Sequence, residues 1–303
     1  MADELRLARI DAGGEVRALG AALRPRQWLK NTLVFAAPGA AGVLTRASVA
    51  LRSVTAFVAF CLVASAIYLV NDLADAAADR LHPTKRLRPL ASGLLRPSTA
   101  LVAAGLLGLA GLGVSAALGP RFLTVVALYV AVMLAYTLRL KHVAVLDIAV
   151  VASGFVSRAV AGGVAAGVVV SSWFLITASF ASLFVVAGKR YADRLQLGEQ
   201  GPQVHAVHAV YTSAYLRYVW MTASAVAISA YCVWASESLP ARAGLPWSAL
   251  SVVPFGLAVL RYALLLETGG GSAPEETVLA DRGLQALVLV WAVVFACGVY
   301  LGR

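Results

Sequence analysis

The sequence predicts an all-α integral membrane protein, nine transmembrane helices around a central cavity that opens to the cytosolic side. Three observations predict it. Of 303 residues, 60% are hydrophobic and only 13% charged, against roughly 45–50% and about 25% in soluble chains. Such a chain cannot cover a globule with polar side chains, so most of its surface must face lipid. Apolar runs of the length a span requires, about 20 residues, recur along the whole chain. The basic residues behind the net charge of +10 fall almost entirely on one side of those runs.

The elements follow in order. The amino-terminal 23 residues are charged and mixed, too polar for a secretory signal, and read as a cytosolic lead-in or an interfacial amphipathic helix. The remainder completes one transmembrane catalytic domain over 1–303. Convincing spans lie near 52–70, 98–117, 122–138, 144–166, 172–188, 215–235, 247–265 and 283–301. A ninth candidate, 31–46, is shorter and carries Pro38. It is either a full span or a re-entrant segment, and the charges favour the span. With nine spans, one face keeps only Arg46, Arg52, Arg121, Arg242 and Arg303, while Arg158 lies within a span and all other basic residues share the opposite face. The positive-inside rule makes that opposite face cytosolic, with the amino terminus inside and the carboxyl terminus outside the plasma (inner) membrane.

Small residues in the fifth of the nine spans, Gly154, Gly162 and Gly163, predict close helix packing. Cys61, Cys232 and Cys297 each sit in an apolar run without a CxxC spacing, which predicts inert thiols. His205 and His208 lack an adjacent acidic ligand and do not read as a zinc site. The lipid bilayer is the first partner implied. The apolar surface leaves a homo-oligomer open.

Acidic residues sharpen the picture. All but Glu237 belong to the cytosolic segments or the cytosolic ends of spans. Orientation needs only bases, so acids and bases gathered together mark a polar site. Asp72, Asp75 and Asp79 follow Asn71 at spacings that place them on one helical face. Carboxylates so close repel unless a cation sits among them, and Mg²⁺ characteristically joins one or two carboxylates to substrate phosphates. The alternative is a solvated acidic helix end. The loop that follows, His82 to Gly93, carries Lys85 and Arg88, suited to phosphate oxygens or else to anionic lipid headgroups. Beside the carboxylates they point to a diphosphate. The sixth span ends in Gly188-Lys189-Arg190-Tyr191-Ala192-Asp193-Arg194 at the same face. Asp147 and Arg158 share a face of the fifth span. An intramembrane charge such as Arg158 is expensive and faces either a cavity or a partner. Lys30 and Asn31 stand at the cavity mouth or anchor the interface beside Trp28.

These residues carry a family resemblance. The Asn71-Asp72-x-x-Asp75-x-x-x-Asp79 run, the stretches Arg24 to Asn31, His82 to Gly93 and Tyr136 to Lys141, and Gly188-Lys189-Arg190 together resemble UbiA-type intramembrane prenyltransferases. The closer match is to the branch that moves 5-phosphoribosyl from phosphoribosyl diphosphate onto a polyprenyl (decaprenyl) phosphate, a step feeding cell-wall arabinan. The resemblance implies that Asp72, Asp75 and Asp79 hold Mg²⁺ against the donor diphosphate, with Asp72, Asp75, Lys85 and Arg88 catalytic. It implies a substrate-binding set of Lys30, Asn71, Asp79, Tyr136, Lys141, Arg158, Lys189, Arg190 and Asp193. One departure stands out. Relatives that use lipid diphosphates usually carry two or more aspartates in the second motif, whereas this chain has Asp193 alone beside Lys189 and Arg190. That favours a more anionic substrate pair. The competing readings are an aromatic prenyltransferase using an isoprenyl diphosphate, and an ion-coupled transporter with Asp72, Asp147 and Arg158 in its path. Transporters show paired repeats of matching half-spans, and none is evident. The net charge thus reads as topology plus counter-charge for phosphates, and nucleic acid is not implied.

Overall fold

The computed structural model describes residues 12–197, 210–238, 246–269 and 274–300. His205 and His208, much of the glycine-rich stretch after 269, and residues 1–11 lie outside them. Among the described residues every regular element is helical. Helix α1 (Ala12–Ala22) leads into a 3₁₀ helix (Pro25–Phe35) and the short α2 (Ala36–Ala40). There follow α3 (Ala47–Leu81), α4 (Pro97–Ala117), α5 (Pro120–Leu138), α6 (Leu146–Ala166) and α7 (Ser172–Leu197). The chain continues through α8 (Ser213–Ser238), α9 (Trp247–Glu267), the short α10 (Pro274–Ala280) and α11 (Arg282–Tyr300). Eight of these helices, α3 to α9 and α11, are long and apolar enough to cross a membrane. They match the eight convincing runs in the sequence.

Local chemistry sets the boundaries. Pro97 and Pro120 open α4 and α5, where a missing N–H costs nothing. Gly119, at φ 112°, makes the turn between them. Gly167 closes α6 in the left-handed conformation. Helix α3 has 35 residues and is about 52 Å long, well beyond the roughly 30 Å of bilayer hydrocarbon. Its last turns, which bear the aspartates, therefore project into the interface.

Helix α6 is the hub. It packs against α3, α5, α7 and the 3₁₀ segment, while α3 lies along α4, α7 along α8, and α9 along α11. At the end opposite the aspartates, Arg52 donates to the Leu118 carbonyl at 3.0 Å and the Ala165 carbonyl at 2.6 Å. It thereby ties the ends of α4 and α6 to the start of α3.

The candidate span 31–46 takes a different form from the rest. It is a 3₁₀ helix, then the five residues of α2, then turns. Pro38 inside α2 and Gly42 at φ 62° prevent a continuous α-helix. What holds the segment is side-chain chemistry. Buried Arg158 donates from Nε to Asn31 Oδ1 at 2.7 Å, from Nη1 to the Gly154 carbonyl at 2.6 Å, and from Nη2 to Tyr129 OH at 3.0 Å. Asn31 donates onward to Cys61 Sγ at 3.2 Å. Val34 presses its backbone against Gly162, where a Cβ would fall on the Val34 carbonyl. Arg24 reaches Asp72 at the polar end, and Arg46 precedes α3 at the other. The 25 helical residues between Ala47 and Asp72 span about 38 Å.

Gly162→Ala is expected to overpack this seat, with a cost of at least about 1–3 kcal/mol. Thermal unfolding in detergent would show the lowered midpoint; an unchanged midpoint would contradict the placement of the segment.

Candidate active site

The α3 periodicity brings Asp72, Asp75 and Asp79 to one face at the polar end of the bundle. Asp72 is 2% exposed and Asp79 3%. Carboxylates this buried are stable only when paired and hydrogen-bonded, and the chain supplies cations from three directions. Arg88 bridges two of them through Nη1, at 3.2 Å to Asp72 Oδ1 and 2.7 Å to Asp79 Oδ2. Arg24 Nη2 lies 2.5 Å from Asp72 Oδ1. Lys141 Nζ binds Asp75 Oδ1. Asn71 completes the group, donating to Asp75 Oδ2 at 3.1 Å while Thr137 donates to its own Oδ1 at 3.4 Å.

The loop after α3 is folded so that Arg88 can reach back. His82 Nδ1 accepts from the backbone N–H of Thr84 and Lys85, which turns the chain into a short 3₁₀ helix at Lys85–Leu87. Lys85 faces Arg88, Asp79, Asp75 and Arg190 at electrostatic range. Burial first, and Arg88 second, push its ammonium pKa below the ordinary lysine range, while the aspartates oppose the shift.

The second polar helix end meets the first here. Lys189, Arg190 and Lys85 surround Asp193; within α7, Asp193 stands three and four residues beyond the other two, on the same face. Arg190 Nε lies 3.3 Å from Asp147 Oδ2, and its Nη2 donates to Tyr136 OH at 3.3 Å. The result is a ring of charge built from α3, its following loop, the α5–α6 turn, the start of α6 and the end of α7.

Most of the expected site residues therefore converge: Asn71, Asp72, Asp75, Asp79, Lys85, Arg88, Tyr136, Lys141, Lys189, Arg190 and Asp193. Arg158 does not join them. Its guanidinium is spent on Asn31, Gly154 and Tyr129 within the bundle, over the rings of Phe60, Tyr129 and Phe155. Lys30 stands to one side, its ammonium 5.8 Å from the Phe155 ring centre. Phe155 also lines an apolar cavity of about 630 Å³ between the 3₁₀ segment, α6, α7, α8, α9 and α11, together with Phe35, Phe174, Trp234 and Phe295. Lys30 thus adjoins a wall of that cavity through Phe155.

Two residues escaped the sequence reading of the site. Arg24, in the left-handed conformation at φ 53° and over the Tyr68 ring at 5.1 Å, is an aspartate partner; its signal was the Arg24-Pro25-Arg26-Gln27-Trp28 stretch. Tyr211, which binds Asp147, had no signal.

Among the described residues no three carboxylate, histidine or cysteine side chains close into a metal cage. The oxygen-only donor set of Asp72 and Asp75, with Asp79 a turn away, fits a hard cation that takes one or two carboxylates and completes its shell from a ligand.

The UbiA prenyltransferase family model matches residues 32–280. The chain belongs to this family. Within it, the decaprenyl-phosphate phosphoribosyltransferase of Mycolicibacterium smegmatis is 46% identical over 298 residues, covering 94% of this chain and 93% of its own. That of Corynebacterium glutamicum is 45% identical over 285 residues, covering 92% and 86%. Solved UbiA structures share the fold. A UbiA homolog from Archaeoglobus fulgidus bound to GPP and Mg²⁺ superposes with a TM-score of 0.73 at 17% identity, over 93% of this chain and 99% of the other. The apo UbiA homolog from Aeropyrum pernix gives 0.63 at 18%, over 90% and 96%.

The depressed Lys85 pKa has a measurable consequence. Its charged form is the one that attracts phosphate, so binding of inorganic diphosphate should weaken as pH rises through that pKa, at lower pH than an ordinary lysine allows. Lys85→Arg should carry binding further into the alkaline range. Titrations of both proteins across pH check this, and superimposable alkaline limbs would contradict it.

Proposed function

We propose that the chain transfers a 5-phosphoribosyl group from phosphoribosyl diphosphate to a polyprenyl phosphate, decaprenyl phosphate in the relatives' case, and releases diphosphate. The observation that carries this reading is the cation-rich junction of the two polar helix ends. Lys85, Lys189 and Arg190 stand with Asp193 where a site for a lipid diphosphate alone needs fewer positive charges. The names borne by relatives at 45–46% identity over nearly the whole chain supply the matching chemistry.

In the transfer, the bond from the ribose anomeric carbon to the diphosphate oxygen breaks, and an oxygen of the acceptor phosphate forms the new bond from the opposite face. The anomeric centre inverts. Bond breaking runs ahead, with oxocarbenium-like character as in other glycosyl transfers. The acceptor needs no general base, because a phosphomonoester with a second pKa of about 6 is already largely ionised near neutrality. Catalysis then rests on positioning and electrostatics.

Each residue has a place in that scheme. Asp72 and Asp75, with Asp79 adjacent, would hold Mg²⁺, which when bound supplies Lewis acidity to the departing diphosphate oxygens. Asn71 orients Asp75. Arg24, Arg88 and Lys141, which neutralise these carboxylates in the absence of ligand, pass to the donor phosphates, joined by Lys85. Lys189, Arg190 and Tyr136 hold the acceptor phosphate or the donor 5-phosphate, and Asp193 keeps Lys85 and Arg190 in register. The apolar cavity, which Lys30 adjoins through Phe155, would receive part of the isoprenoid chain. Arg158 acts at one remove, by fixing Asn31 and hence Lys30.

The membrane setting follows from the same charges. Segment 25–46 supplies a ninth crossing, since the polar end of α3 meets Arg24 while its start adjoins Arg46. Positive charge then places the ring and the amino terminus in the cytosol, and the carboxyl terminus outside.

Purified protein offered labelled phosphoribosyl diphosphate, polyprenyl phosphate and Mg²⁺ should yield lipid-extractable ribose phosphate. A parallel reaction with prenyl diphosphate and hydroxybenzoate should yield no prenylated acceptor, and the reverse outcome would refute the reading. Asp72→Ala and Asp75→Ala should each lower turnover at least about a hundred-fold in protein that stays helical by circular dichroism, although loss of a buried ion-pair partner lowers the thermal midpoint of Asp72→Ala; activity retained by either would remove the assigned metal role.

A further inference from the structure

We infer that Tyr211 is a positioning residue for the reaction, acting through Asp147 on Arg190. Tyr211 lies ahead of α8, where Thr212 Oγ1 caps the Tyr215 amide at 3.0 Å. Its ring is 3% exposed and stacks on Tyr215, with centroids 5.7 Å apart and planes at 6°. Its hydroxyl does two things. It accepts from the Val145 N–H at 2.6 Å, and it donates to Asp147 Oδ1. Burial and the contact with Asp147 raise the phenol pKa, which keeps that donor proton in place.

Both partners need this help. Val145 heads α6 at φ 70°, ψ −47°, a conformation that a β-branched residue adopts only under constraint. Such strain persists where the surroundings over-determine it, characteristically beside functional groups. Asp147, 1% exposed, is the acid that faces Arg190 Nε at 3.3 Å. The strained turn and the phenol together fix one carboxylate, and that carboxylate draws, by charge, a guanidinium whose Nη2 touches Tyr136 OH. The relay crosses three elements: the lead into α8, the start of α6 and the end of α7. Neither Asp147 nor Tyr211 touches the aspartates of α3 in any hydrogen bond or ion pair described, so the relay serves the second polar end.

This inference rests on the reading above, in which Arg190 meets a substrate phosphate. Tyr211→Phe keeps the stacked ring and removes only the hydroxyl. It should raise KM about ten-fold, the effect of one buried charge-assisted hydrogen bond, for whichever substrate Arg190→Ala affects, with little change in kcat. The double variant should be no worse than Arg190→Ala alone, because the two act in series. Asp147→Asn, nearly the same size, should raise the same KM and repeats the test if Tyr211→Phe folds poorly by thermal unfolding. Additive losses, or a KM shifted for the other substrate or for neither, would overturn the inference while leaving the functional reading in place. Wild-type protein with no activity on phosphoribosyl diphosphate and polyprenyl phosphate would overturn both.

Discussion

The interaction on which the rest of the structure depends is the bridge from Arg88 to Asp72 and Asp79. Two carboxylates buried at the end of an apolar helix would each cost several kcal/mol without a compensating charge. Arg88 binds both, and to do so the loop after α3 must fold back along its own helix. That return sets the turn at His82 and brings Lys85 inward. Arg24 and Lys141 extend the same neutralisation to the first segment and to the α5–α6 turn. Helices distant in sequence are thus tied together at one end by these ion pairs.

The ring therefore carries its own counter-charges. On the proposed reading, Asp72, Asp75 and Asp79 would hold the divalent cation that accompanies a polyanionic donor, and the guanidinium and ammonium groups would then turn to its phosphates. Little net charge has to be desolvated in that exchange, which suits a site at the membrane boundary, where isolated charges are expensive. On the proposed reading, the apolar cavity lined by Phe155 would take the tail of a lipid whose head is charged.

Much of this was legible in the residues. Eight apolar runs became eight long helices because in a bilayer only a helix satisfies every backbone group of a lone span. The aspartate face followed from helical spacing alone, and so did its meeting with the Lys189–Asp193 end once alternate crossings were counted. What the chain order hid was set by tertiary contact. The first segment, already marked by Pro38, takes a broken form whose seat at Gly162 and hold by Arg158 the sequence did not show. Arg158 itself looked like a substrate ligand because intramembrane arginines face either cavities or partners, and here partners satisfy all of its nitrogens. Tyr211 left no trace, since a tyrosine after a polar loop has no pattern until the fold carries it to Asp147.

The claim that the same cations serve the aspartates and then the phosphates is tested most directly by an experimental structure with phosphoribosyl diphosphate and Mg²⁺ bound. The account predicts Arg88 and Lys141 within hydrogen-bond distance of donor phosphate oxygens, with Asp79 and Asp75 released from them. Donor density away from this ring, or Arg88 and Lys141 still bound to Asp79 and Asp75, would contradict it.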